Sequence, residues 1–276
     1  MSRITRNRLL FLGTGTSTGV PVVGCACPVC ASPDPRDKRT RASVLLKTRS
    51  SESEDWEYLL IDTSIDLRQQ LLREGAPPVF RVVYTHSHVD HFFGLDELRA
   101  VQFVVKRPIE VFGSAEIHER VRAVYTHLFD PNAQSGGGIL SVRLHPAEGR
   151  FTAGGFGLQT LQVLHGKLPV QGYRWGSLAY ITDCSAIPEQ TWKLLAGVDT
   201  LVLDALRKRP HETHFNIDQA LEVVARLGPR RTYFIHMTHD LLHAETNAEL
   251  PEGVELAYDG LELELPSFDP LNWEMG

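Results

Sequence analysis

No stretch of this 276-residue chain approaches the roughly 20 consecutive apolar residues that a membrane span requires. The N-terminal Met1–Arg8 segment runs straight into Leu9-Leu10-Phe11-Leu12, with no apolar region leading to a small-residue cleavage site. A secretory signal is therefore not expected, and the chain reads as cytoplasmic. Positive charge is also short: 28 Lys and Arg face 34 Asp and Glu, leaving a net charge of -6. That balance disfavours a protein that holds nucleic acid by bulk electrostatics. Cysteine is scarce as well, with three of the 4 crowded into Cys25-Ala26-Cys27-Pro28-Val29-Cys30 and the fourth at Cys184. Such spacing in a reducing compartment excludes a disulfide framework and points to metal ligation, the alternative being thiols that are reactive or merely buried.

What the chain does hold is a dense ligand cluster. The apolar run Val79–Tyr84 delivers Thr85-His86-Ser87-His88-Val89-Asp90-His91. Side chains alternate along an extended segment, so His86 and His88 point the same way. A turn into helix or loop then sends Asp90 and His91 elsewhere. Two ligand sets of differing direction suit a pair of cations a few ångströms apart. A cluster of exposed histidines on a polar loop is the plainer alternative.

Other apolar runs end similarly, at His165, Asp183 and His236. Strands are expected at 9–12, 41–48, 57–62, 109–112, 139–144, 157–164, 171–175, 177–182, 200–203, 232–235, 254–258 and 261–265. Helices are expected at 65–74, with Ile65, Leu67, Leu71 and Leu72 on one face, and at 95–105, 114–129, 188–195 and 217–227. The Gly-rich turn Gly13–Gly19 lacks a phosphate-binding lysine and is followed by Pro21, so it reads as a tight turn beside a site rather than a phosphate cradle. Asp130–Gly138 is the clearest linker, a substrate lid or an inert connector. The reading is one domain over 1–276, with two halves meeting near 130–138.

The His-x-His-x-Asp-His run after a strand resembles the hallmark of the metallo-β-lactamase superfamily. With Gly13-Thr14-Gly15, the Cys25/Cys27/Cys30 knot, His165-Gly166-Lys167-Leu168, Thr213-His214-Phe215-Asn216 and the pair His236/His239, the chain resembles the PhnP-type phosphoribosyl cyclic phosphate phosphodiesterases within it. That resemblance implies an α/β fold, an αββα sandwich of two mixed sheets with helices outside. It further implies His86, His88 and His165 on one metal, Asp90, His91 and His236 on a second, and Asp183 bridging them. Cys25, Cys27, Cys30 and His239 would hold a structural zinc. His214 would assist the chemistry as proton donor, with His211, three residues earlier, a competitor for that place. Lys167 is a candidate for a second phosphate, or a solvated lysine.

The expected function is a dinuclear phosphodiesterase acting on a small cyclic or nucleotide-like phosphate ester, with two divalent ions (Zn, Mn or Fe) besides the structural Zn. Neither a membrane nor a nucleic acid is expected as a partner, and a homodimer is left open. The competing readings are a PqqB-like oxidase of cofactor biosynthesis, a thioester or RNA hydrolase of the same superfamily, and a non-catalytic metal-binding module.

Overall fold

The computed structural model describes residues 6–49, 55–130, 132, 138–269 and 271. Its fourteen strands, counted among those residues, form two seven-stranded sheets. The first contains β1 (Arg6–Gly13), β2 (Ser43–Arg49), β3 (Glu57–Ile61), β4 (Arg81–Val83), β5 (Ile109–Gly113) and β6 (Val142–Pro146), with the late strand β14 (Glu262–Glu264) on the β1 edge. The second contains β7 (Arg150–Ala153), β8 (Phe156–His165), β9 (Leu168–Trp175), β10 (Leu178–Ile181), β11 (Thr200–Asp204), β12 (Arg231–Ile235) and β13 (Val254–Leu256). Both sheets are mixed in the same sense. Strands pair antiparallel from β14 to β3 and from β7 to β10, and the remainder pair parallel.

Alternation along the strands explains the layers. Leu9, Phe11, Val44, Leu46, Leu59 and Ile61 face Leu158, Tyr173, Trp175, Tyr180, Val202 and Ile235 in the core between the sheets. The opposite residues of the first sheet, including Leu10, Leu45, Leu60 and Val82, pack with helices α2 (Leu67–Arg73), α4 (Leu98–Val105) and α5 (Ala115–Val124). Those of the second, including Ala179, Leu201, Leu203 and Phe234, pack with α6 (Glu189–Leu195) and α7 (Ile217–Leu227). The layers run helix, sheet, sheet, helix, as the resemblance implies.

Several expectations are corrected. The helix expected at 65–74 begins at Leu67 and buries Leu67, Gln70 and Leu71, whereas Ile65 and Leu72 are 42% and 56% exposed. Asp66 accounts for the shift: it flanks the helix start and accepts hydrogen bonds from Arg41, which draws Ile65 out of the helix and rotates its stripe. The strand expected at 139–144 is β6, which starts at Val142 and completes the first sheet, so the exchange between sheets falls between Pro146 and Arg150. The C-terminal strand crosses back to the first sheet. Strand β7 and helix α8 (His243–Glu249) escaped the sequence reading because both are short and polar. Of the expected lid or connector at 130–138, residues 131 and 133–137 lie outside the described residues. Among the described residues no helix is long and apolar enough to cross a membrane.

Candidate metal centre and active site

Strand ends from both sheets converge at one edge of the sandwich. Beyond β4 the chain stays extended through Thr85 to His88, then winds into α3 (Val89–Phe92), so His86 and His88 part from Asp90 and His91. His165 closes β8, Asp183 follows β10 and His236 follows β12. Asp183 and His236 adopt positive φ, 50° and 61°, a conformation that costs a non-glycine residue about 1–2 kcal/mol and turns each side chain off its strand.

Asp183 sits at the centre. One carboxylate oxygen lies 3.8 Å from His86 Nε2 and 3.4 Å from His236 Nε2, and the other 3.1 Å from His91 Nε2. Asp90 reaches His91 Nε2 at 3.3 Å and His236 Nε2 at 3.5 Å. Two compact groups result, His86/His88/Asp183 and Asp90/His91/His236, each with ligand atoms within 4.8 Å of one another. His165 falls in a third group with Asp183 and His214, its ring 5.2 Å from that of His88. His88 is exposed and opens the cluster to solvent.

The outward nitrogens of three of these rings are already committed. His91 Nδ1 donates to Asp62 at 2.9 Å, and His165 Nδ1 donates to the Thr213 carbonyl at 2.8 Å. Thr85 gives its hydroxyl proton to Asp62 at 2.7 Å and so accepts from His86 Nδ1 at 3.0 Å. Each of these three imidazoles therefore turns Nε2 inward, the atom a cation would take in place of a proton. Nε2 of His86, His91 and His236 is buried without a hydrogen-bond partner, which a satisfied polar core would not leave. Burial would raise the carboxyl of Asp183, but His236, His91 and His86 outweigh it and hold it well below the usual range. Burial, reinforced by His91, pushes His86 well down, toward the neutral ring. The residues present fit two divalent ions.

His214 stands beside this centre, stacked on the His236 ring at 4.8 Å and donating through Nδ1 to buried Asp204 at 2.7 Å. His211 lies outside it, exposed, with its ring 5.2 Å from His214. Lys167 is exposed at the β8–β9 turn, two residues past His165. Asp62 and Asp204 were not singled out by the sequence, although both end apolar strands as His165, Asp183 and His236 do.

A second cluster lies behind the first. His239 Nδ1 is 3.3 Å from Cys25 Sγ and 3.5 Å from both Cys27 Sγ and Cys30 Sγ. A tetrahedral zinc with bonds of about 2.3 Å to sulfur and 2.0–2.1 Å to nitrogen sets that edge at roughly 3.5 Å, so these four side chains fit the ion. The amide of Cys30, in helix α1 (Pro28–Ala31), together with the side chains of Cys25, Cys30 and His239, lowers the Cys27 thiol to about 6. Buried Arg39 ties the two segments together, donating to Asp37 and to the carbonyls of Thr238 and Leu241. The Gly-rich turn packs against the same loop. A Cβ at Gly13 would stand 2.0 Å from the Arg41 carbonyl, and Thr16 donates to Met237. Its glycines serve close backbone approach.

The sequence of residues 57–237 matches the Beta-lactamase superfamily domain. The chain belongs to the beta-lactamase superfamily. Within it, a diphosphatase of the PhnP family superposes with a TM-score of 0.85 at 39% identity, over 94% of this chain and 97% of that one. An octanoyltransferase of Porphyromonas gingivalis is 35% identical over 92% of this chain, but the match takes in 51% of that protein, so this superfamily member spans about half its length. Coenzyme PQQ synthesis protein B of Methylobacterium radiotolerans is 28% identical, over 94% of this chain and 100% of that protein.

Proposed function

We propose that this protein is a dinuclear-metal phosphodiesterase acting on a small cyclic or nucleotide-like ester. The observation that carries the reading is the place of Asp183, one oxygen of which lies near Nε2 of both His86 and His236 and the other near Nε2 of His91, so that a single carboxylate touches rings of both ligand groups. One cation would be held by His86, His88 and His165, the other by Asp90, His91 and His236, with Asp183 shared. A divalent pair supplies Lewis acidity that activates water near neutral pH and offsets charge on phosphoryl oxygens. The likeness to a PhnP-family diphosphatase supports phosphoryl chemistry over thioester or β-lactam cleavage.

The chain's own residues supply the remainder. Asp204 accepts from His214 Nδ1, so when the ring is the imidazolium its second proton sits on Nε2, and that is the proton handed to the leaving oxygen, leaving the neutral Nδ1–H ring. The stack on His236 holds the ring next to the ligand set, which favours His214 over the exposed His211 as donor. Thr182 donates to Asp183 at 2.7 Å and restrains its rotation.

The decisive experiment is hydrolysis of bis(p-nitrophenyl) phosphate with added Zn or Mn, with Asp183→Ala as control. Metal-dependent turnover lost in the variant is the expected result. No turnover by the fully metallated protein overturns the reading. The PqqB relatives keep a second reading in view, an oxygen-dependent oxidase. Metal content separates the two, at about three ions per chain for the hydrolase and about two for a mononuclear oxidase with the same zinc knot.

A further inference from the structure

A cleft of about 250 Å³ opens directly beside the ligand cluster, with Thr85, His86 and Ser87 forming its inner wall. His86 is 5% exposed, with Nε2 unpartnered, and belongs both to the ligand cluster and to the cleft lining. A phosphoryl group held at the cluster would send one of its ester arms into this cleft. The apolar lining of the cleft is Ile117, Leu168, Pro169 and Val170, of which Ile117 and Val170 are buried. The rim consists of hydrogen-bonding groups: Glu116, Glu148, Gln162 and Gln171.

The charge of that rim selects among arms. Among the described residues no Lys or Arg lines the cleft, and neither glutamate has a hydrogen bond or ion pair. The start of α5 would by itself draw an anion, yet Glu116 occupies its first turn and Ser114 already caps the Ile117 amide. Lys208 and Arg209 pair with Glu249 and Asp240, and Lys167, exposed on the β8–β9 turn, is outside the cleft lining. Free carboxylates accept from hydroxyls or amines and repel phosphate. An apolar lining beside an acceptor-rich rim suits the carbon face and hydroxyl edge of a sugar.

We propose that this cleft takes an uncharged, hydroxyl-bearing sugar arm of the ester, and that Glu116 and Glu148 are specificity residues that turn away an arm carrying a second phosphate. The inference rests on the phosphodiesterase reading and deepens it.

The test compares thymidine 5′-(p-nitrophenyl) phosphate with its 3′-phosphorylated derivative, using bis(p-nitrophenyl) phosphate as a probe without a sugar. The metallated wild type should favour the uncharged-sugar ester about tenfold in kcat/KM. The double variant E116Q/E148Q should narrow that ratio to about threefold or less, by improving the phosphorylated ester, while bis(p-nitrophenyl) phosphate turnover stays within about twofold. Saturation-transfer NMR on the metal-free protein should show thymidine contacts that thymidine 3′-phosphate lacks, with the difference reduced in the variant. A wild type that prefers the phosphorylated ester, or a variant with an unchanged ratio and intact turnover of the sugar-free probe, overturns the assignment of the cleft. Wild-type protein inert toward all three esters overturns the phosphodiesterase reading itself, and the inference with it.

Discussion

Asp62 and His91 meet at 2.9 Å with neither side chain accessible to solvent, carboxylate oxygen to ring Nδ1. Burial raises the Asp62 carboxyl, and the hydrogen bonds from His91 and Thr85 oppose that rise. The same carboxylate takes the Thr85 amide at 2.8 Å, so a single buried group, itself at φ 64°, orients both His86 and His91. Asp204 repeats the device in the second sheet, holding His214 and the Cys184 amide.

Replacing Asp62 with Asn keeps the shape but removes the charge that sets the His91 tautomer. Affinity for the ion at Asp90, His91 and His236 should fall about 10–100-fold. Calorimetric metal titration of the folded variant checks this, and an unchanged affinity refutes the orienting role.

Removal of the proton donor should depend on the leaving group. His214→Gln is expected to slow alkyl phosphodiesters by about 10²–10⁴-fold while changing p-nitrophenyl esters far less, because p-nitrophenolate departs without a proton. Asp204→Asn should follow the same pattern, and the double variant should lose little more than either single one. Equal losses on both ester types would assign His214 to binding instead.

Cys27→Ser should lower zinc content by about one ion per chain and reduce the melting temperature, with a similar though smaller effect from Arg39→Met, which frees the Thr238–Leu241 segment from Asp37. Metal analysis alongside thermal melts tests both. A Cys27→Ser protein with full metal load and unchanged melting excludes the structural site.

His243 makes the fold acid-sensitive. Burial, helped by Arg36 and Arg39, lowers it from 6.5 to about 4. The unfolded chain takes up this proton near pH 6.5 and the native one resists until about pH 4, so stability falls as pH drops through that window. Allowing for solvent screening, about 1–2 kcal/mol should be lost there, and His243→Gln should flatten that part of the stability curve. Urea melts at pH 7 and pH 5 measure the difference.

The candidate ligand set was legible because its parts are either contiguous, as at His86 to His91, or placed just after apolar strands, as at His165, Asp183 and His236. The same rule also marks Asp62 and Asp204, which went unread. A carboxylate that serves a ring's far nitrogen has no spacing signature of its own. Apolar spacing also misled at α2, where Ile65 and Leu72 fit a helical stripe that Asp66 and Arg41 rotate toward solvent. The strand at Val142 reads equally well in either half, and only its pairing with Ile109–Gly113 assigns it to the first sheet.

From sequence alone came the alternation that builds two sheets, the ligand chemistry of the His/Asp cluster and the Cys25/Cys27/Cys30 knot, because these depend on near neighbours and side-chain type. The tertiary structure decided which nitrogens face inward, that Asp183 stands between two ligand groups, that His239 closes the cysteine knot, and that an acceptor-rimmed cleft adjoins His86. Those outcomes depend on hydrogen bonds and packing between segments far apart in the chain, whose relative positions only the closed core sets.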